Sequence, residues 1–377
     1  MQKKPFFHWY YYLIGAWIFL GLFAPLLANQ RPLFCVEHGE IQFPACCEML
    51  GISDTTFSRN WLTYNNYESV LRAPIPYSAE NCIDLKNRET APFVAQDVPN
   101  AHYYHYLGTD TNGIDVTAYM LYGWHNAVKI GIFSMLIAFF IGVSLGMSAA
   151  YWGNQGIQVS RLQAILNVML ISIFSFYTFF MPLGNLVLKL FLSLFLLFIF
   201  NTYAKKYFSD LKNTSKFNVP LDSIVLRSID LLNSIPKILL LLALASVLHE
   251  CRWWHIALLI GCLFWTAFAR LARAETLRLK TQPFVESAQA TGLHTHQIIL
   301  RHILPNAMSS LKVLLAFGIG GAILAEASMA FLGLNINAPS WGVLLHQANE
   351  NTNAWWLAVF PGIAIFLTLL LFNSAEN

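Results

Sequence analysis

The sequence predicts an all-α, polytopic integral membrane protein, and three observations support this fold class. Of 377 residues, 56% are hydrophobic and only 11% are charged, whereas about a quarter of the residues in soluble domains are charged. Several stretches contain the roughly 20 apolar residues that a helix needs to cross about 30 Å of hydrocarbon. Lysine and arginine cluster in particular connecting segments. The formal net charge of +3 is too small to indicate a nucleic-acid partner.

The apolar stretches predict about eight transmembrane helices. The first follows Lys3 and Lys4, as a signal peptide would, but its apolar run is too long, so we expect an uncleaved anchor. The third and fourth alternatively form one broken segment, because Pro182 lies between them. The predicted stretches are 9–28, 127–151, 164–181, 183–203, 229–248, 253–269, 307–334 and 355–372.

Positive charge predicts the orientation of these helices, since cytoplasmic loops carry an excess of lysine and arginine. Lysines precede the first helix and follow the fourth, and five basic residues lie between the sixth and seventh. We therefore expect these segments and both termini to be cytoplasmic. The acidic loop 29–122 then lies outside the membrane, where its prolines and mixed polar composition predict an ordered domain of short strands and turns.

Four of the six cysteines lie in this loop, where an oxidising compartment would let disulfides persist. Structural disulfides, free thiols and a metal site are all open interpretations, although no regular spacing of cysteine and histidine supports a metal. The four are Cys35, Cys46, Cys47 and Cys82. The other two, Cys251 and Cys262, are expected to pack in or near a helix.

The loop ends in the segment 105–115, which leads into the second predicted helix. Gly108 and Gly113 permit tight turns, and Asp110 and Asp115 can accept backbone N–H groups and cap that helix. Taken alone, these residues indicate an ordinary helix-entry turn.

The cytoplasmic segment 270–305 predicts two short helices that project from the membrane. The sixth helix continues past the bilayer, and Pro283 ends it or begins a helix over 284–291, which Gly292 breaks. Thr295 is expected to cap a second short helix that runs to Leu304. Pro305 then suits the first turn of the seventh spanning helix.

The first of these short helices carries residues that suit a groove on a soluble partner. Phe284 and Val285 offer apolar contacts, Glu286 offers a charge for a basic residue, and Ala288 permits close approach. An amphipathic linker at the membrane surface would explain the same composition.

This segment resembles the signature of ABC-importer permeases, in which Glu-Ala-Ala is followed by a glycine and then by Ile-x-Leu-Pro. Two positions depart from it, because Ser287 replaces the first alanine and His302 stands in place of the isoleucine. The resemblance implies that the segment couples the membrane helices to an ATPase subunit. The implied coupling residues are Phe284, Val285, Glu286, Ser287, Ala288, Gly292, Leu304 and Pro305.

More specifically, the chain resembles permeases of the dipeptide/oligopeptide and nickel importer family. Its loop motif contains Gly108, Thr109, Asp110, Gly113 and Asp115, with Ile114 where the family usually has arginine. Further matches follow in the same order over most of 105–373, at 121–123, 230–236, 299–306, 322–328, 331–334, 339–342 and 360–373.

The resemblance implies a type I ABC importer permease fold and divides the chain into segments. Compared with six-helix members, 154–217 resembles an insertion of two helices, and the usual short tail after Asn373 is missing. The expected divisions are an anchor at 1–28, an extracytoplasmic loop domain at 29–122, a transmembrane helix at 123–153, the inserted helix pair at 154–217, and a core permease domain at 218–377 that contains the coupling segment 270–305.

The chain contains no Gly-x-x-x-x-Gly-Lys-Ser/Thr phosphate-binding loop, so we expect no cofactor on the chain itself and no catalysis by it. The resemblance implies a second permease as heterodimer partner, two ATPase subunits that use ATP and Mg, and an extracytoplasmic substrate-binding protein. It also implies import of dipeptides or oligopeptides across a bacterial inner membrane. Nickel or another small solute is the alternative within the family, and a membrane sensor or membrane-embedded enzyme is the alternative outside it.

Charged residues within predicted spans are costly, and they usually face protein or water. Glu326 lies inside the seventh predicted helix and is expected either to line the translocation pathway or to form a helix–helix hydrogen bond. Lys189 in the inserted pair is expected to extend towards the membrane surface. The histidines at 294, 296 and 302 do not predict a metal site, because no carboxylate accompanies them.

Overall fold

The computed structural model confirms an all-α polytopic membrane protein with a small β-containing loop domain. It describes residues 9–37, 39–49, 68–79, 84, 86–98, 103–156, 158–160, 165–167, 169–170, 172–174, 192–193, 195–196, 199–200, 216–248, 251–334 and 338–374. The predictions for Cys82, Pro182 and Lys189, and most of the inserted pair, fall outside these residues.

Eleven helices and five strands are named here, in chain order, within the described residues. The helices are α1 (Trp9–Leu22), α2 (Ala24–Leu27), α3 (Pro44–Met49), α4 (Val116–Trp152), α5 (Leu221–Asn233), α6 (Lys237–Ser246), α7 (Trp253–Leu279), α8 (Pro283–Ala290), α9 (Thr295–Phe331), α10 (Trp341–Glu350) and α11 (Trp356–Asn373). The strands are β1 (Phe34–Glu37), β2 (Glu40–Gln42), β3 (Ser69–Leu71), β4 (Gln158–Ser160) and β5 (Lys216–Asn218).

Four of the described helices, α4, α7, α9 and α11, are long and apolar enough to cross a membrane. The pair α5 and α6 makes a fifth if it counts as one span, but the two helices are bent by 83°. The expected continuous helix over 229–248 is therefore wrong. Pro236 lacks a backbone N–H and disfavours helical geometry at the preceding residue, so the chain turns between Asn233 and Lys237.

Helix α9 runs from Thr295 to Phe331 as one span, and Pro305 lies in the first turn of its α-helical part Leu304–Phe331, as expected. The five residues Ile299–Ile303 form a π-helical turn immediately before the proline. The wider turn accommodates the proline ring and its missing N–H within one helix. The prediction of a separate short helix ending at Leu304 is therefore wrong, and the segment joins the spanning helix directly.

The loop domain is built on a three-stranded antiparallel sheet in the order β2-β1-β3. Cys35 lies in the central strand opposite Gln42 on one side and Val70 on the other. This confirms the expected short strands. The loop domain begins one residue before the expected start, because Ala28 already pairs with Ile75. It ends earlier than expected, because α4 begins at Val116, so 116–122 belong to the helix.

The core of the bundle is the close crossing of α4 and α7. Glycines on both helices let the two backbones approach, as is common between membrane helices. A Cβ on Gly142 would lie 2.6 Å from the Cβ of Phe268, and one on Gly261 would lie 2.8 Å from the carbonyl oxygen of Ser134. Helix α9 packs against both, and α5 and α11 lie around this core.

The predicted insertion leaves the bundle and returns to it at one place. Strand β4, just after α4, pairs antiparallel with β5, just before α5, with Val159 opposite Phe217. Asn154 accepts hydrogen bonds from the backbone N–H and the hydroxyl of Ser223 at 3.1 and 3.2 Å. The two ends of the predicted insertion therefore lie side by side, and α4 and α5 remain in contact.

Candidate functional site: the coupling helix and the loop-domain cavity

The short helix α8 projects at one end of the bundle, between the long helices α7 and α9. Pro283 occupies its first turn, where the missing N–H has no intrahelical partner to lose. Val285 and Ala288 face inward and are buried in the same hydrophobic cluster as Ile298 and Ile303. The interpretation that Val285 and Ala288 would contact a partner is therefore wrong for this conformation, because they hold α8 against α9.

The outward face of α8 carries Phe284, Glu286 and Ser287, all exposed. Phe284 leaves 37% of its surface uncovered. The serine hydroxyl bonds to the carbonyl of Pro283 at 2.9 Å, so it is already partnered within the helix. The face therefore offers an aromatic ring beside a free carboxylate.

Gly292 forms the turn between α8 and α9, as the sequence predicts. Its φ is +78°, a region that favours glycine, and a Cβ there would meet nothing within 4 Å. The backbone N–H of Leu293 donates to the carbonyl of Ala288 at 3.3 Å, which closes the turn. His294 precedes the first residue of α9, and its N–H donates to the Gln297 side chain at 3.1 Å, so the predicted Thr295 cap is wrong.

The two remaining signature residues lie in α9 and not on the exposed face of α8. Leu304 is partly buried against the core and Pro305 is exposed. The structure thus separates the predicted coupling set into an exposed face, a buried support and a turn at Gly292.

Polar contacts at the same end join the end of α7, just before α8, to neighbouring helices, and sequence reasoning missed them. Arg273 donates to both carboxylate oxygens of Asp222 at 2.6 and 2.8 Å, joining α7 to α5. Lys280 donates to the carbonyl of Ala150 at the end of α4, at 3.0 Å. The sequence indicated only a cluster of positive charge here, because the partners are 51 and 130 residues away.

At the opposite end, the loop motif forms a structured turn that seats the loop domain on α4. Gly108 and Gly113 have φ of +79° and +85°, and added Cβ atoms would collide with the carbonyl oxygens of Thr90 and Asp84. The hydroxyl of Thr109 donates to the carbonyl of Asn87 and accepts from the N–H of Thr90. The positive φ and the nearby carbonyl oxygens explain why the motif has glycine at 108 and 113.

The last motif residue, Asp115, caps α4 as expected, accepting from the N–H of Ala118 at 2.7 Å. Its other carboxylate oxygen lies 2.8 Å from Nδ1 of the buried His105. On its far side the histidine ring approaches Asp84 at 3.6 Å, and one face stacks on Tyr77. The sequence motif therefore marks a buried contact between the loop domain and the first turn of a spanning helix.

Asp110 is fully buried and serves two elements at once. One carboxylate oxygen accepts from the backbone N–H groups of Asn112 and Ile114 at 2.9 and 2.7 Å, and the other accepts from the Gln347 side chain of α10 at 3.1 Å. Burial raises the pKa of Asp110 above its ordinary value, while these three hydrogen bonds oppose that rise. The prediction that Asp110 accepts backbone N–H groups is confirmed, but these lie in the turn before α4, and Asp115 is the residue that caps the helix. The sequence gave no signal for Gln347.

Glu326 is buried within α9, with 3% of its surface exposed. Ser340 is the polar side chain next to its carboxylate, whereas Oε1 has no hydrogen-bond partner among the described residues. Ser340 caps α10, accepting from the N–H of Gly342 at 3.1 Å. Both expected roles of Glu326, a helix–helix hydrogen bond and the lining of the pathway, stay predictions.

The cavity next to these residues has a volume of about 580 Å³ and lies where the loop domain, α9 and α10 meet. Asp110, Tyr119, His346 and Gln347 contribute to its walls. Across the described part of the chain, no group of three or more cysteine, histidine or acidic side chains is arranged to hold a metal ion.

Together, the spanning helices, the exposed helix at one end and the walled cavity at the other define the class of membrane-embedded permease subunits. Residues 211–375 match the family of binding-protein-dependent transport system inner membrane components, and the chain is similar to permease subunits of ABC importers. In this class separate subunits hydrolyse ATP, so the chain is a transport subunit and not an enzyme.

Curated relatives agree with this assignment. The glutathione transport system permease protein GsiD of Pectobacterium atrosepticum is 28% identical over 302 residues, covering 79% of this chain and 75% of the relative. The inner membrane ABC transporter permease protein YejE of Escherichia coli is 28% identical over 378 residues, covering 94% of this chain and 88% of the relative. The GsiD protein of Shigella flexneri is 41% identical over 155 residues, covering 40% of this chain and 51% of the relative.

Proposed function

We propose that this chain moves dipeptides, oligopeptides or peptide-like thiols of the glutathione type into the cytoplasm. The relatives support the cargo class, because the glutathione permease of Pectobacterium atrosepticum matches over 79% of the chain. We propose a second permease as its heterodimer partner, two ATPase subunits that supply ATP hydrolysis with Mg, and an extracytoplasmic substrate-binding protein.

The single observation that carries the mechanism is the exposed face of α8. Phe284 and Glu286 point away from the bundle, while Val285 and Ala288 bind the helix to the core behind them. A rigid helix with an aromatic anchor and one charge suits insertion into a groove on an ATPase subunit. The turn at Gly292 joins α8 directly to α9. Movement of an ATPase groove that holds α8 is therefore transmitted to a spanning helix.

The basic residues at this end support a cytoplasmic location for it. Arg273, Arg278 and Lys280 lie in or just after the last turns of α7, and Arg301 lies near the start of α9. Positive charge is enriched on the cytoplasmic side of membrane proteins. With this orientation, the loop domain and the cavity face outward, towards the binding protein, and both termini are cytoplasmic.

Co-purification tests the coupling role. The tagged chain is extracted in mild detergent, and the ATPase activity of the eluate is measured together with peptide uptake in matched cells. Reversing the charge in Glu286→Lys should reduce co-purified ATPase at least about tenfold, a loss of roughly 1.4 kcal/mol of binding free energy. Gly292→Pro should uncouple uptake, since proline cannot adopt a φ of +78°.

Asp97→Lys provides the matched control, because its carboxylate is exposed and lies on the loop domain, far along the chain from α8. This variant should retain both ATPase and uptake. Full ATPase recovery and normal uptake with Glu286→Lys would contradict the docking role. If the unaltered chain purifies without any ATPase subunit, that result contradicts the importer mechanism itself.

A further inference from the structure

We propose that the bend between α5 and α6 lines a water-filled passage, where Arg270 and Lys237 attract the carboxylate end of a peptide in transit. This inference rests on the proposed function and deepens it, because it assigns part of the cargo selectivity to this chain. The two helices are bent by 83°, and residues 234–236 between them are all exposed.

The bend lies at membrane depth. The hydroxyl of Thr266 donates to the Asn233 side chain at 3.4 Å, and the ammonium group of Lys237 lies 4.6 Å from the ring centre of Phe264. Both partners belong to the apolar stretch of α7, roughly 6–9 Å from Arg270 at 1.5 Å per residue. The bend is therefore level with the apolar part of α7.

Irregular backbone at this depth does not face lipid. The last turn of α5 and the first turn of α6 meet at the bend, and each helix end leaves backbone groups without intrahelical partners. Hydrocarbon offers such groups no hydrogen bonds, so broken helices occur where protein covers them or where they line a water-filled cavity. In this chain residues 234–236 are uncovered, so water or a second protein must meet them.

A charged stripe along α5 favours water. Arg227, Asp230 and Ser234 are spaced by three and four residues, so they share one exposed face. Arg270 of α7 donates to Asp230 at 3.4 Å, and the two side chains are 55% and 69% exposed. Charged side chains that enter a span usually face a water-filled cavity or a protein interior, and they mark solute pathways. Side chains as open as these fit a water-filled cavity.

The charges of the stripe and the bend do not cancel. Within the described residues of this region Asp230 is the one carboxylate, and the cations are Arg227, Lys237 and Arg270. Arg270 lies close enough to Lys237 for the two charges to repel each other. An anion between them would relieve this repulsion, and a region of low dielectric constant strengthens the effect.

The guanidinium of Arg270 is the group that suits a carboxylate. It has five N–H donors in a planar fork, and Asp230 accepts from one terminal nitrogen at 3.4 Å. Two parallel N–H groups can therefore bind a second carboxylate, while Lys237 adds positive charge nearby. The carboxylate at the end of a peptide has the matching charge and shape.

Thiol labelling of Ser234→Cys tests the passage. Open membrane fragments that contain the full chain are treated with an anionic sulfonatoethyl or a cationic trimethylammonioethyl methanethiosulfonate. Mass spectrometry of the peptide that contains position 234 separates this site from the native cysteines. We expect both reagents to react there, and the anionic reagent to be favoured about fivefold relative to its reaction with free 2-mercaptoethanol. Phe366→Cys, on the apolar face of α11 and 61% exposed, should react with neither reagent.

Removing the cations tests the carboxylate preference. Arg270→Gln and Lys237→Gln should each reduce the anionic preference at position 234 to below about twofold. In matched cells, Arg270→Gln should lower uptake of trialanine relative to trialanine amide about fivefold. The other subunits are the same in both strains, so this change belongs to the permease chain. Arg278→Gln, at an exposed arginine roughly two turns further along α7, should keep the ratio.

An unreactive position 234 would overturn the proposal, because a partner subunit or lipid would then cover the bend. It would also be overturned if position 234 showed no anionic preference, or if neither Arg270→Gln nor Lys237→Gln reduced that preference. An uptake ratio unchanged by Arg270→Gln would contradict the carboxylate role. The labelling requires neither ATPase activity nor cargo, so failure here is distinguishable from failure of the importer mechanism.

Discussion

Replacing Gly146 with alanine should weaken the packing of α4 against α7, the central contact of the bundle. A Cβ on Gly146 would collide with the carbonyl oxygen of Ala269 and would lie 2.9 Å from both the Cα and the carbonyl carbon of that residue, whereas ordinary contacts begin at 3.4 Å, so the shortfall is at least about 0.5 Å. The obstructing atoms are backbone, which cannot rotate away as a side chain can. The helices must separate by about this distance, and such a gap removes roughly a quarter of the dispersion energy between neighbouring atoms.

Overpacking of this kind costs about 1–3 kcal/mol, which increases the unfolded population roughly 5- to 150-fold. We expect the thermal midpoint of the full chain in mild detergent to fall by several degrees, measured by tryptophan fluorescence at one heating rate and by the monodisperse fraction after heating. Gly362→Ala is the matched control, because a Cβ there meets nothing within 4 Å. The reasoning is refuted if Gly146→Ala is as stable as Gly362→Ala.

Three further predictions concern polar contacts. Asp115→Ala removes the cap of α4 and the partner of His105, and should cost roughly 2–4 kcal/mol in denaturant unfolding; an unchanged midpoint would exclude the capping role. Because burial raises the pKa of Asp110 above 3.8, the folded state binds its proton more tightly than the unfolded state. This stabilisation is present below that pH and is lost as pH rises through the folded-state pKa. The thermal midpoint of the unaltered chain should therefore fall relative to Asp110→Asn as pH rises from 3.8 through the folded-state pKa of Asp110, and parallel curves would contradict it. Arg273→Lys loses the two hydrogen bonds to Asp222 and should lower the free energy of unfolding by about 1–2 kcal/mol. The thermal midpoint should fall while membrane insertion stays normal; an unaltered midpoint would show that this ion pair contributes little to stability.

The correspondence between sequence and structure differs from element to element. Pro283 and Gly292 were placed correctly because their backbone constraints are local and act in any environment. Pro236 and Pro305 show the limit of the same rule, since one bends the chain by 83° and the other lies within a continuous helix. The two prolines differ in the backbone that precedes them. A π turn precedes Pro305 and accommodates it, and no residue pattern predicts that turn.

The sequence by itself determined the membrane class, four of the spanning segments, the short helix after Pro283 and the turn motif before α4. These follow from apolar length and from backbone chemistry, which are properties of residues near one another in the chain. Only the tertiary structure decided that Val285 supports α8 from behind, and that Gly146 meets Ala269 across a helix crossing. It alone brought Gln347 to Asp110, over 237 residues of separation. Such contacts depend on how helices cross and which faces they bury, and a one-dimensional pattern of residues does not specify that geometry.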